Sequence, residues 1–117
     1  MSDSYRTHTA GALRLEHVGQ DVVLLGWVHR VRNLGGVLFF DVRDRHGVTQ
    51  VVVRSDAAAA AGADRLRPEF VVRVEGRVER RAPEVINAKL PTGDIEVVAS
   101  AIGAPLRPRS IAQQFCR

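Results

Sequence analysis

Within Gly26 to Arg54, GWVHRVRNLGGVLFFDVRDRHGVTQVVVR, two arginines, a phenylalanine and a glutamine stand at spacings that place them on one surface. Arg30 and Arg32 can neutralise phosphates, which makes affinity salt-dependent, or stack as guanidinium planes. Phe39 can stack on the face of an unpaired base, at about 1 to 3 kcal/mol per base, and Gln50 can pair with a base edge. Taken alone, Gln50 or either arginine reads first as part of a solvated strand face, and the plain alternative for Phe39 is a core ring. Together on adjacent strands they favour a surface that binds single-stranded nucleic acid. No catalytic set accompanies them. Asp41 and Asp44 are expected to pair with Arg43 or Arg45 rather than hold a metal, no serine or cysteine has a base at hand, and Gly35-Gly36 lacks the spacing and lysine of a phosphate loop.

These residues need strands to position them. Side chains alternate across a strand, and the residues from 22 to 32, 37 to 43 and 48 to 54 read as a meander broken at Gly35-Gly36 and His46-Gly47. Arg30 and Arg32 share a face, as do Phe39, Asp41 and Arg43, and Gln50, Val52 and Arg54. The opposite face is expected to be core: Leu25 and Trp27, then Leu38, Phe40 and Val42, then Val51 and Val53. Of the Phe39-Phe40 pair only one ring can be inside, and Phe40 is the one whose neighbours in the alternation are aliphatic. Ser55-Asp56 can cap a helix over 57–66, closed by Pro68. Residues 70 to 80 alternate again, with Val72, Val74, Gly76 and Val78 on one face; 82 to 93 is a loop with Pro83 and Pro91; 94 to 102 is a fifth strand. Three strands, a helix and two strands give an all-β, mainly β class: a five-stranded OB-fold Greek-key barrel with one helix between strands 3 and 4. The expected organisation is a flexible arm over 1–9, the barrel over 10–103, and a disordered tail over 104–117, where two prolines and missing periodicity argue against order.

Length and composition bound these readings. The chain has 117 residues, enough for one domain with a core, and 45% of them are hydrophobic while 5% are aromatic, so aliphatic residues must fill the interior. Net charge is +4 and pI about 10.5, which suits a polyanionic partner. Lys89 is the sole lysine; arginine's planar fork suits phosphates and base edges, although a G+C-rich genome produces the same bias. Cys116 is the single cysteine, excluding an intrachain disulfide and a thiolate zinc site, and His8, His17, His29 and His46 lack metal-ligand spacing. No window has the length of a membrane span and the amino terminus lacks a signal-peptide core, so a cytoplasmic location without membrane contact is expected.

The segment GWVHRVRNLGGVLFFDVRDRHGVTQVVV, and with it LPTGDIEVVAS from Leu90 to Ser100, resembles the amino-terminal anticodon-binding domain of bacterial-type aspartyl-tRNA synthetase. There GWV, an arginine-rich strand end, FxDxRDxxG, QVV and a later LPTGEIEV follow at this spacing. The resemblance covers about Tyr5 to Ile102. It implies that Phe39 stacks on an anticodon base, that Gln50 contacts the central uridine, and that Arg30 and Arg32 help hold the loop, with Arg81, Asn87 and Glu96 as secondary contacts. The implied partner is the anticodon loop of aspartate tRNA. Two positions depart from the pattern: Asn33 stands where aspartate is common, and VINAK lacks a second asparagine. The family continues into a class II catalytic domain, to which ATP and magnesium belong; no cofactor is expected for these 117 residues, and alone they are expected to be inactive as a ligase. The family's homodimer carries no implication for this stretch.

Two other readings compete. A free-standing single-strand-binding OB protein would show little base preference. A protein-interaction barrel with an incidental basic face would show no salt-dependent RNA binding. For the tail, Ser110 to Arg117 read from the preceding base gives Leu-Asn-Arg-Ala-Ala-Ile-Leu-Pro with suitable codons, resembling the family's linker, so an out-of-frame remnant is expected there.

Overall fold

Runs of β-branched residues separated by turn residues leave the backbone little choice but strands, and in the computed structural model five of them close a barrel. Residues 6–34, 37–54 and 70–108 are described, with backbone alone at 34 and 104–108. The strands are β1 (Asp21–Leu34), β2 (Val37–Asp44), β3 (Gly47–Val53), β4 (Phe70–Arg80) and β5 (Ile95–Pro108). Their order around the barrel is β1-β2-β3-β5-β4, in which β3 and β5 run parallel and the other neighbours antiparallel. That is the expected OB topology. The helix read over 57–66, with its cap and Pro68, lies outside the described residues.

One face of each strand builds the interior: Val22, Leu24 and Val28 from β1, Phe40 and Val42 from β2, Val51 and Val53 from β3, Val72, Val74 and Val78 from β4, Ile95, Val97 and Ala99 from β5. Leu13, fully buried, adds to it from outside the strands. Phe40 is the interior ring, at 1% exposure. The expectation for β1 needs correction, because Leu25 and Trp27 are only half-buried and the core is lined by the even-numbered residues. A bulge accounts for the difference. Pairing runs Trp27 with Arg43 and Val28 with Val42, then Arg30 with Asp41 and Val31 with Phe40, leaving His29 as an extra residue. Unbroken alternation from Val28 would have carried Arg30 and Arg32 inward. The extra residue reverses the parity, so Val31 packs on the core and both arginines are exposed.

Asp44 also departs from expectation. Its carboxylate is taken by backbone rather than by Arg43 or Arg45: Oδ1 accepts from the N–H groups of His46 (2.8 Å) and Gly47 (3.1 Å), and Oδ2 from that of Ala10 (2.8 Å). Gly47, at φ +153°, lies so close to Gly11 that a Cβ would stand 2.7 Å from the Gly11 Cα. Thr49 Oγ1 donates to the Ala10 carbonyl at 2.5 Å, completing the closure. Within the arm, Thr7 donates its N–H to the Val23 carbonyl (2.9 Å) and its Oγ1 accepts from the Val23 N–H (2.8 Å).

Strand β5 runs further than the expected end at residue 102. It reaches Pro108, pairing Arg107 with Val71 and Pro108 with Phe70. Pro105, one of the two prolines that argued for disorder, is tolerated for a local reason. The ladder is irregular between Val71 and Arg73, so Pro105 falls where the pairing skips. Residues 109–117 lie outside the described part. Among the described residues no helix is long and apolar enough to cross a membrane.

Candidate nucleic-acid interface

Beyond the bulge, the outward faces of β1, β2 and β3 form two cross-strand rows. Arg32 lies opposite Phe39, itself opposite Val52; Arg30 lies opposite Asp41, itself opposite Gln50. Neighbours in such rows have Cβ atoms about 5 Å apart, so cation, ring and amide are in mutual reach. Arg81, just past β4, and the loop that follows form the far wall. Between them lies an open groove of about 340 Å³, lined by Arg30, Arg32, Phe39, Asp41, Gln50 and Arg81 on the barrel and by Glu84, Val85, Ile86, Asn87 and Leu90 on the loop.

The loop is held by its own backbone. A 3₁₀ turn spans Pro83–Val85, and the chain is tied at its base by Asn87 N–H to the Gly93 carbonyl (3.0 Å) and Gly93 N–H to the Leu90 carbonyl (3.0 Å). A Cβ at Gly93 would meet the Asn87 carbonyl carbon at 2.7 Å, so glycine is what permits this crossing. Asn87 Oδ1 accepts from the Lys89 N–H at 3.0 Å, which leaves the amide NH₂ for other partners. Arg81 braces the same loop. It is 5% exposed, and it donates Nε–H to the Ile95 carbonyl (2.8 Å) and Nη1–H to the Val85 carbonyl (3.1 Å). Two of its five N–H groups are thus committed to backbone.

Gln50 is also only 5% exposed, buried rather than projecting from a solvated face as the alternation suggested. Its Nε2 donates to Glu96 Oε1 at 3.0 Å, which joins Glu96 to the groove although it is not among the lining residues. Burial pushes the Glu96 carboxyl above the usual glutamate range, opposed by the Gln50 hydrogen bond and the Arg81 charge. Burial also pulls Arg81 below its ordinary value, against the attraction of Glu96 and Asp41.

The fold therefore gathers Arg30, Arg32, Phe39, Gln50, Arg81 and Asn87 around one groove and sets Glu96 behind it. Sequence reasoning missed Asp41 as a groove residue. Parity had already placed it beside Phe39, and the assumption that it pairs with an arginine on its own strand hid it. It missed also the apolar rim of Val85 and Ile86, 45% and 42% exposed; adjacent aliphatics in a proline-containing loop were the available signal. Among the described residues, no three His, Cys, Asp or Glu side chains are grouped to hold a metal.

Comparison with known proteins agrees with this geometry. Residues 22–103 match the family tRNA anti-codon, described as an OB-fold nucleic acid binding domain. The aspartate–tRNA(Asp/Asn) ligase of Paracoccus denitrificans is 52% identical over 99 residues, covering 85% of this chain and 17% of the relative. That of Parvibaculum lavamentivorans is 55% identical over 100 residues, covering 85% and 16%. The chain thus spans about one-sixth of the length of these relatives. Among solved structures, asparaginyl-tRNA synthetase from Pyrococcus horikoshii superposes with a TM-score of 0.70 at 25% identity, over 91% of this chain and 26% of that one. OBody AM2EP06, solved bound to hen egg-white lysozyme, gives 0.72 at 25% identity, over 87% of this chain and 94% of that one. With the family match covering β1 through most of β5 and the barrel strands in OB order, the chain belongs to the tRNA anti-codon family of OB-fold nucleic acid binding domains.

Proposed function

We propose that this stretch is the anticodon-reading part of an aspartate–tRNA ligase and that its groove takes the anticodon loop of aspartate tRNA. The observation that carries the reading is the placement of Phe39, Arg30, Arg32 and Gln50 around one open groove. Phe39 offers the stacking surface, Gln50 a base-edge contact, and the exposed arginines neutralise the loop phosphates. Asn87 reaches the groove from the loop with an NH₂ group that the Lys89 contact does not use. Arg81 acts through the loop it braces, and Glu96 through Gln50. The relatives that match over 85% of the chain are named as ligases for aspartate and asparagine tRNA, which supports the choice of RNA. The resemblance likewise favours the cytoplasm.

Chemistry is assigned elsewhere. Adenylate formation needs a site that a barrel of this kind does not supply, so these residues alone are expected not to activate aspartate; aspartate-dependent pyrophosphate exchange above a no-protein control would overturn that. The reading itself is tested by gel shift with aspartate tRNA and with the same tRNA carrying a replaced anticodon. Preference for the intact anticodon, weakening with salt, is expected; equal binding of both would favour a free-standing single-strand binder. The exposed Val85 and Ile86 favour one alternative, a protein-binding rim, which predicts no salt-dependent RNA binding.

A further inference from the structure

The segment before β1 is fastened to the barrel at three places, none of which lines the groove. Thr7 pairs with Val23 of β1, and Ala10 with Asp44 and Thr49; Gly19 N–H donates to the Val78 carbonyl of β4 (2.8 Å) while Val78 N–H donates to that of Gln20 (2.9 Å). Between the last two anchors lies a 3₁₀ turn over Leu15–His17, which exposes Leu15 and, just past it, Val18. So short a turn depends on what closes its ends, since it has no further residues to propagate through. His17 closes it twice. Its N–H donates to the Arg14 carbonyl (2.9 Å), and its ring Nδ1 takes the Arg14 N–H (2.9 Å). A backbone N–H can only donate, so Nδ1 must be bare and the proton of the neutral ring must sit on Nε2. His8 stands edge-on to this ring, with centroids 5.1 Å apart, and its Nδ1 lies 2.8 Å from Thr7 Oγ1, the oxygen that accepts from the Val23 N–H. The two rings therefore join the two ends of the segment. We propose that His17 is a proton switch for the segment before β1: the neutral ring caps the Leu15–His17 turn and holds it against His8, and protonation opens the turn and loosens the segment from the barrel.

An imidazolium donates from both nitrogens, so a charged His17 turns an N–H toward the Arg14 N–H and the cap is lost. Should His8 be charged as well, two cations meet at ring contact. Both rings are half-buried, and His8 is held below the usual histidine range, first by burial and then by the His17 charge. The charged groups on the segment itself are Arg6, Arg14 and Glu16; the Arg14 guanidinium is turned to the Gly11 (2.7 Å) and Leu13 (2.9 Å) carbonyls. Val23 of β1 and Val78 of β4, which receive the segment, bring no charge, and on those strands Asp21 is engaged by Arg77 (3.5 Å) and Glu75 by Arg73. With the His8 pKa lowered in the folded chain, the unfolded chain binds more protons around the ordinary histidine value. The docked segment is thus favoured above that value and weakens as pH falls through the folded pKa.

The test is NMR of the purified, nitrogen-labelled chain from about pH 8 down to about pH 5. At the upper end the His17 ring nitrogens are expected to report a bare Nδ1 and a protonated Nε2. As His17 takes up a proton, solvent exchange at the Arg14 amide, corrected for its intrinsic pH dependence, is expected to accelerate about three- to tenfold, with Thr7, Leu15 and Val18 shifting in step. His17→Gln, whose amide oxygen can take the Arg14 N–H without titrating, is expected to keep Arg14 protected throughout and to move the His8 midpoint upward by removing its charged neighbour. A proton on His17 Nδ1 at the upper end overturns the inference, as does Arg14 exchange that stays level through the His17 titration, or a His17→Gln chain whose Arg14 amide opens with pH as the wild type's does. Should the variant fail to fold, the wild-type ring and amide signals decide alone. None of these readings involves RNA, so the outcome leaves the function of the groove untouched.

Discussion

Two carboxylates, Asp44 and Glu96, occupy polar sites on the same barrel and are used in opposite ways. Asp44 is surrounded by donors: three backbone N–H groups converge on it and tie the β2–β3 turn to the segment before β1. Such a site is filled largely by the fold's own donors. Glu96 receives one side-chain donor, from Gln50, and is held above the usual range by burial. The amide it fixes keeps an oxygen turned from it, beside an exposed pair of arginines and a half-buried ring. The contrast separates polarity that closes a fold from polarity that prepares a surface. It is drawn from where the hydrogen bonds end, since both groups are acids on strands of one barrel.

Substitutions can break or sharpen that contrast. The largest effect should come from the interior shared by both regions: Phe40→Ala truncates a core ring and should lower stability by roughly 3 to 5 kcal/mol in chemical denaturation. Asp44→Ala should destabilise next, by about 1 to 3 kcal/mol, because it leaves backbone donors unpaired, with loop affinity little changed in the folded fraction. Phe39→Ala should reverse this pattern, weakening hairpin binding by about 1 to 3 kcal/mol with little change in melting temperature. A larger melting loss for Phe39→Ala than for Phe40→Ala would reverse the two rings' roles. The smallest effect concerns pH. With the Glu96 pKa raised in the folded chain, the folded state binds more protons than the unfolded one just above the ordinary glutamate value. Its contribution to stability is therefore full below that value and is lost as pH rises through the folded pKa. Glu96→Gln should flatten this part of the stability profile, as urea melts across the acid range would register.

Much of this was legible in the residues because a strand repeats every two. Phe39 and Phe40 fall on opposite faces by parity alone, and Val72, Val74 and Val78 fall together. Parity fails where a strand inserts a residue. Nothing in VHRVR marks His29 as extra, and so Leu25 and Trp27 were assigned to the core while Arg30 and Arg32 were placed outside by counting that takes no account of the bulge. Gln50 could be placed on the binding face but not at its depth, because the partner its amide meets, Glu96, lies 46 residues along the chain. Asp44 illustrates the same limit. A carboxylate beside arginines reads as an ion pair, and only the folded chain brings the Ala10 N–H to it. Local composition also misled at Pro105, where an irregular ladder accommodates a residue that normally ends a strand.

The central claim is that RNA enters the groove between Arg30 and Asn87 and leaves the Asp44 closure untouched. Chemical-shift mapping by NMR, with the chain titrated by an anticodon hairpin, tests it most directly. Perturbations concentrated at Arg30, Arg32, Phe39, Gln50 and Asn87, fading with added salt, are the expected result. Perturbations centred on Ala10, His46 and Gly47, with the groove residues unmoved, would contradict it.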